Sequence, residues 1–212
     1  VASARVAALY VDRCGPYFGR PDVDAWDLAR DARRYEGALP VVAHPPCGPW
    51  GRLRHLYRGS EHDCAPRAVE QVRRCGGILE HPQHSLLWRR CRLPYPGGLD
   101  FGEGFTVALD QCAWGHVARK ASWLYCVGIS RELVLRTLRT GGQPTHWASG
   151  SRGQLGTRKT TPVPPGIKVC GAEQRRRTPP AFADWLIWLA MSARMEDSDA
   201  IRPDGLAVSR AG

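Results

Sequence analysis

The chain has 212 residues, 43% of them hydrophobic and 24% charged, which is enough apolar content for one buried core and too much for a disordered chain. No apolar run approaches the roughly 18 residues that span a bilayer, and no secretory pattern opens the chain, so the expectation is a cytoplasmic protein with no membrane partner. Thirty Lys+Arg against 20 Asp+Glu give a formal charge of +10, carried mostly by arginine, which points to a polyanionic partner and to nucleic acid as the commonest one.

In chain order, the apolar residues 6–11 predict a buried strand, broken afterwards by Gly15, Pro16 and Gly19. Residues 24–30 start with Asp24 and Asp27, acids at the beginning of an apolar stretch, and predict a helix. Residues 39–43 predict a second buried strand. It runs into His44-Pro45-Pro46-Cys47-Gly48-Pro49-Trp50-Gly51, too rich in proline and glycine to continue a strand or helix and so a stiff loop. Pro66 suits the first turn of a helix, Ala65, Ala68, Val69, Val72 and Cys75 recur at helical spacing, and Gly76-Gly77 ends it. Ile78-Leu79 predicts a short strand that stops at Glu80-His81-Pro82.

Strand, loop, helix and strand make a β-α-β unit whose strands lie parallel, so Cys47 and Glu80 should emerge on one carboxyl rim, where open α/β sheets bind ligands. Residues 121–128 predict a further strand. Residues 129–178 read as a basic loop or small insert, and Pro179-Pro180 introduces an apolar helix over 182–191. The expected organisation is a single α/β domain over 1–195 with an open, largely parallel twisted sheet and flanking helices, followed by a flexible tail at 196–212.

The eight cysteines include no C-x-x-C pair, and most sit in apolar or helical patterns, so they read as free thiols in a reducing compartment. His44-x-x-Cys47 and His81-x-x-His84 could bind zinc only by meeting in space; no metal is expected. Cys47 has the marks of a nucleophile: an exposed loop, a backbone stiffened by proline, and His44, Arg52, Arg54 and His55 nearby in sequence. A purely structural turn is the competing explanation for the Pro-Pro-Cys turn. A carboxyl group at a strand end is not core filling, because burial of a carboxylate is costly without a partner, and this strengthens the pairing of Glu80 with Cys47.

The order Pro45-Pro46-Cys47 on one strand end, then Glu80 on the next, resembles the cytosine-C5 DNA methyltransferases, with their Pro-Pro-Cys nucleophile loop and Glu-Asn-Val strand end. Residues 114–128, which contain Arg119 and Lys120, look like the family's Tyr-Gly-Val-Pro-Gln-x-Arg-x-Arg segment and the apolar strand after it; residues 178–183 echo its closing Pro-Pro helix. The chain also resembles small phage-encoded proteins with the same His-Pro-Pro-Cys and Glu-His-Pro landmarks. The resemblance implies an abbreviated Rossmann-like methyltransferase fold acting on DNA or a pyrimidine nucleotide. Cys47 would add to C6 of a cytosine, Glu80 would contact N3 and the exocyclic amine, and Arg119 or Lys120 would be the cation near the base.

S-adenosylmethionine is the implied methyl donor, with Asp12, Gly15, Asp27 and Pro45 the residues nearest its place in the pattern. Arg52, Arg54, Arg152, Arg158 and Lys159 are the candidate DNA-backbone contacts. Glu80 is followed by His-Pro where the family has Asn-Val, and there is no room for a large target-recognition domain. A non-catalytic nucleic-acid-binding protein that keeps the fold is the alternative.

Overall fold

The computed structural model describes residues 3–98, 104–148 and 166–193, so the basic segment with Arg152, Arg158 and Lys159, and the tail after 196, lie outside the described residues. Strands β1 (Val6–Leu9), β2 (Val23–Trp26), β3 (Val41–Ala43), β4 (Gly77–Pro82), β5 (Phe105–Asp110) and β6 (Ala121–Val127) form one sheet in the order β2-β1-β3-β4-β6-β5. The pairs β1/β2, β1/β3 and β3/β4 are parallel, while β6 runs antiparallel to both β4 and β5. The fold is mixed α/β with a mostly parallel sheet.

Strand alternation sorts the apolar side chains between two cores, one on each face. Val6, Ala8, Val42, Ile78 and Leu124 share one cluster with Phe182, Leu186 and Ile187 of the C-terminal helix. Ala7, Leu9, Val41, Ala43 and Leu79 share the other with Ala65, Ala68, Val69 and Val72. Those four residues belong to helix α1 (Cys64–Cys75), which crosses from β3 to β4 as its spacing predicts. The strands β1 and β3 are buried at every position because both faces are covered, which explains their unbroken apolar runs. The remaining helices are α2 (Leu86–Arg90), α3 (Arg131–Thr137), α4 (Ala172–Arg176) and α5 (Pro180–Ala190), and β7 (His146–Ala148) pairs in parallel with β8 (Lys168–Cys170). None of the described helices is long and apolar enough to cross a membrane.

One predicted element is of the wrong type. Residues 23–26 form an edge strand paired with β1 in the register Val6↔Val23, where a helix was expected. The acids that suggested a helix start do other work: Asp24 pairs with Arg30 and accepts from the Trp26 indole, and Asp27 Oδ1 accepts from the Arg30 amide to close a turn. Pairing with a buried strand overrides a local helix signal of this length.

The α1-to-β4 junction depends on glycine. Gly77 has φ +117°, and a Cβ there would lie 2.0 Å from the Val41 carbonyl oxygen, in the neighbouring strand's backbone. Gly77→Ala is expected to destabilise the fold by about 3 kcal/mol or more, read as a lower urea midpoint. An unchanged midpoint would show that β3 and β4 do not approach this closely.

Candidate functional site

From β1 the chain moves outward to β2, then returns to the other side of β1 to build β3 and β4, so the strand order reverses between β1 and β3. Such a switch point opens a crevice at the carboxyl ends of the strands. Five segments converge on this rim: the loops after β1, β3 and β4, the end of β5, and, because β6 is reversed, the start of β6 at Lys120 to Ser122.

The loop after β3 is tied down at both ends. The His44 amide donates to the Leu9 carbonyl at 3.0 Å, the Trp50 and Gly51 amides both donate to the Cys47 carbonyl, and the Leu86 amide donates to Trp50 O at 3.0 Å. Gly48 packs under the Tyr57 ring, where a Cβ would come within 2.3 Å of the ring carbons. The turn therefore holds Cys47 in one place, and Cys47 is exposed. The residue is open to solvent but crowded on its inner side. Desolvation, followed by the charge of Glu80, pushes the thiol pKa above its ordinary value, against the opposing charges of Lys120 and Arg176. The cations that act most on the thiol, Lys120 and Arg176, are thus distant in sequence.

Glu80 lies within β4, which continues to Pro82 and does not stop before the glutamate. It is 7% exposed, and each carboxylate oxygen has at least one partner. Oε2 meets His44 Nδ1 at 3.1 Å, while Oε1 accepts from Gln111 Nε2 at 2.9 Å and from the Ser122 hydroxyl at 2.5 Å. Burial alone would raise its pKa. The charge of Lys120 and the hydrogen bonds from His44 and Ser122 outweigh burial and hold the carboxyl well below the usual range, so Glu80 is ionised.

The opposite ring nitrogen of His44, Nε2, lies 2.7 Å from the hydroxyl of Tyr17, which is 2% exposed. Desolvation and the charge of Glu80 keep that phenol protonated. With the hydroxyl donating to Nε2, the His44 proton sits on Nδ1 and faces the carboxylate. A Tyr17–His44–Glu80 relay therefore runs under the rim, from the loop after β1 to β4.

Among the sequence candidates, the structure brings Cys47, Glu80 and Lys120 together; Lys120 acts through its charge and also donates from Nζ to Arg177 O at 3.3 Å. Arg119 is exposed and lines a separate shallow cleft with Asp110, Ala113, Leu138 and Arg139. Arg52 and Arg54 are exposed on the loop beyond Cys47. Asp12, Asp27 and Pro45 follow the carboxyl ends of β1, β2 and β3 on the same rim. Asp12 closes a turn on itself: its Oδ1 accepts from the Cys14 amide and its carbonyl from the Gly15 amide. A Cβ on Gly15 would meet that carbonyl at 2.9 Å, so this glycine serves the turn rather than an open cradle.

Tyr17, Gln111 and Ser122 carry no local motif, and sequence reasoning misses them. Only the placement of Gln111 at the end of β5 and Ser122 at the start of β6, both on the rim, could have marked them. Among the described residues no group of three or more His, Cys, Asp or Glu could hold a metal ion, and all eight cysteines are free thiols.

His81, the next residue along β4, faces the other side of the sheet, fully buried beside Trp88. Neither ring nitrogen makes a well-aligned hydrogen bond among the described residues, although the Pro46 carbonyl lies near enough to act on the ring. Desolvation pushes its pKa down to about 4, against the softening influence of Glu80 and the Pro46 carbonyl. The unfolded chain takes up this proton near the ordinary value of 6.5, the folded chain only near 4, so stability is full above pH 6.5 and falls as pH drops towards 4. The loss is about 3 kcal/mol. Urea unfolding at pH 7 and pH 5 should show this slope, and His81→Met should flatten it; an equal slope in the variant would rule out His81 as its source. Glu80 is ionised in both states above about pH 5 and adds nothing in that window.

Compared with known proteins, the chain matches no family model and no curated protein.

Proposed function

We propose that the chain modifies a pyrimidine at C5, most simply as a cytosine-C5 methyltransferase-like enzyme acting on DNA. The observation that carries this reading is the meeting of a solvent-open, rigidly held Cys47 and a buried, ionised Glu80 on the carboxyl rim beside the switch point, with Lys120 acting on both. The Cys47 thiolate would form a bond to C6, and the electron pair of the C5–C6 double bond would move to C5. Glu80 Oε2, which among the described residues meets only His44, would accept from the exocyclic amine and from an N3–H. That N3 proton is taken up from solvent as the thiolate adds and is lost again when the C6–S bond breaks. After C5 accepts the transferred group, its proton leaves to a base and the C6–S bond breaks, restoring the ring and the thiolate. A pyrimidine must leave its stack to reach this rim.

S-adenosylmethionine is the proposed donor and supplies the methyl group. Asp27 and Pro45 follow the strand ends where it would lie, but Pro45 is buried and Asp27, like Asp12, closes a local turn. The abbreviated Rossmann-like methyltransferase architecture belongs to the same proposal, supported by the parallel order β2-β1-β3-β4. So do a phage origin, which rests on the sequence resemblance alone, and work in a reducing host cytoplasm, for which the eight free thiols speak.

The test is incubation with DNA carrying 5-fluorocytosine, where the C5–F bond blocks the elimination. A covalent protein–DNA complex is expected, and mass spectrometry of nucleosides from unsubstituted DNA should show a C5-modified pyrimidine. Failure of both would overturn the proposal. One observation favours the alternative of a non-catalytic nucleic-acid-binding protein: the Cys47 thiol is pushed up, away from the thiolate. Calorimetry with S-adenosylmethionine separates the two, since the non-catalytic protein would give no heat and retain salt-dependent DNA binding.

A further inference from the structure

The positive charge is distributed unevenly. On the β2 and α1 side, arginines are matched with acids: Arg20 with Asp22 and Asp184, Arg30 with Asp24, Arg33 with Asp31 and Asp63, and Arg67 with Glu36 and Glu70. The two segments flanking Cys47 and Glu80 differ. Residues 44–60 hold Arg52, Arg54 and Arg58, residues 81–98 hold Arg89, Arg90 and Arg92, and neither segment contains a single Asp or Glu. Arg54, Arg89, Arg90 and Arg92 are exposed, and their side chains form no ion pair among the described residues. The two segments are joined, because Trp50 O accepts from the Leu86 amide at 3.0 Å.

Aromatic rings line the same surface. Trp123, at the start of β6 opposite His81, is backed by Trp88 at 5.2 Å between ring centroids. His84 and Tyr95 stand edge-on to Trp123 at 5.2 and 5.7 Å; His84 is exposed and Tyr95 is 55% exposed. The Trp123 indole N–H, although buried, has no partner among the described residues. Two exposed rings on a rigid indole, flanked by arginines without counter-charges, combine a stacking platform with a phosphate-binding strip. Base faces are open to such rings only where the strand is unpaired.

We propose that residues 81–95, together with Arg54, form a ledge that binds single-stranded nucleic acid and leads it across the Cys47–Trp50 turn to the rim. This rests on the reading of that rim as a pyrimidine-modifying site and narrows its substrate to a pyrimidine within an unpaired polynucleotide, in place of a free nucleotide or an intact duplex.

The experiment is fluorescence anisotropy with a labelled single-stranded DNA 12-mer and its duplex, over a range of salt and without methyl donor, so that failure of the chemistry cannot affect it. The single strand should bind more tightly than the duplex. R89A/R90A/R92A should reduce the slope of log affinity against log salt by about 2, at roughly 0.7 per single-strand phosphate contact. Tyr95→Leu should weaken binding about tenfold and leave the slope unchanged, while Tyr95→Phe should bind as wild type. Thermal unfolding of each variant checks that the fold is kept. Preference for the duplex, a wild-type slope in the triple variant, or wild-type affinity in Tyr95→Leu would each overturn the ledge. A ledge that fails while modification of DNA persists would leave the proposed chemistry standing.

Discussion

Replacing Cys47 with serine is expected to lower the single-turnover rate of C5 modification by on the order of 10⁴-fold or more and to abolish the covalent complex with 5-fluorocytosine DNA. The substitution is close to isosteric, and the side chain is exposed, so stability should change by less than about 0.5 kcal/mol. What is lost is ionisation, since a serine hydroxyl gives up its proton far less readily than a thiol. The wild-type rate carries a pH signature as well. Crowding and Glu80 push the thiol above its ordinary pKa, so the thiolate fraction, and with it the rate, should climb as pH rises through and above neutrality. A serine variant working at the wild-type rate would remove Cys47 from the chemistry.

Glu80→Gln should separate the chemical role of the carboxylate from its structural one. Glu80→Ala would leave His44, Gln111 and Ser122 facing a void, at a cost of about 3–5 kcal/mol, and would report mainly on folding. The amide can keep most of the network. Its oxygen still accepts from Gln111 and Ser122, its NH₂ donates to Nδ1 of a His44 with the proton moved to Nε2, and Tyr17 then accepts in place of donating. Stability should therefore fall by only about 1–2 kcal/mol. The reversed relay holds no anion, so it cannot pair with the N3-protonated ring that forms when the thiolate adds. The expected loss in rate is on the order of 10²–10³-fold, with single-strand affinity unchanged. Equal rates for Glu80→Gln and wild type would make the buried carboxylate structural alone.

The β3-loop-α1-β4 unit was legible because its signals are local. Prolines cannot continue a strand, a helical repeat of small apolar residues from Ala65 to Cys75 can bury only one face, and Gly76-Gly77 ends the helix. Residues 23–26 were misread because an acid at a helix start and an acid closing an Asx-type turn look alike over four residues. The strand β5, with its Gln111 end, gave no usable pattern, and the relay was invisible because Tyr17, His44, Glu80, Gln111 and Ser122 come from five separate segments.

From the sequence alone, the placement of Cys47 and Glu80 on one rim follows from chirality and the right-handed crossover, without knowledge of any neighbouring strand. The arginine-rich, acid-free character of residues 44–60 and 81–98 is likewise plain in the order of residues. Only the tertiary structure decides how these groups behave. The charge on Glu80 is set by Lys120 and two hydrogen-bond donors brought from β3 and β6, and the thiol of Cys47 is raised by burial and then by the carboxylate beside it. Among the described residues Arg54, Arg89, Arg90 and Arg92 form no ion pair of the kind that satisfies the arginines on the β2 side. Electrostatic energies depend on distance and burial, which no local pattern encodes, so the same residues acquire their chemistry only when the reversed strand β6 closes the site.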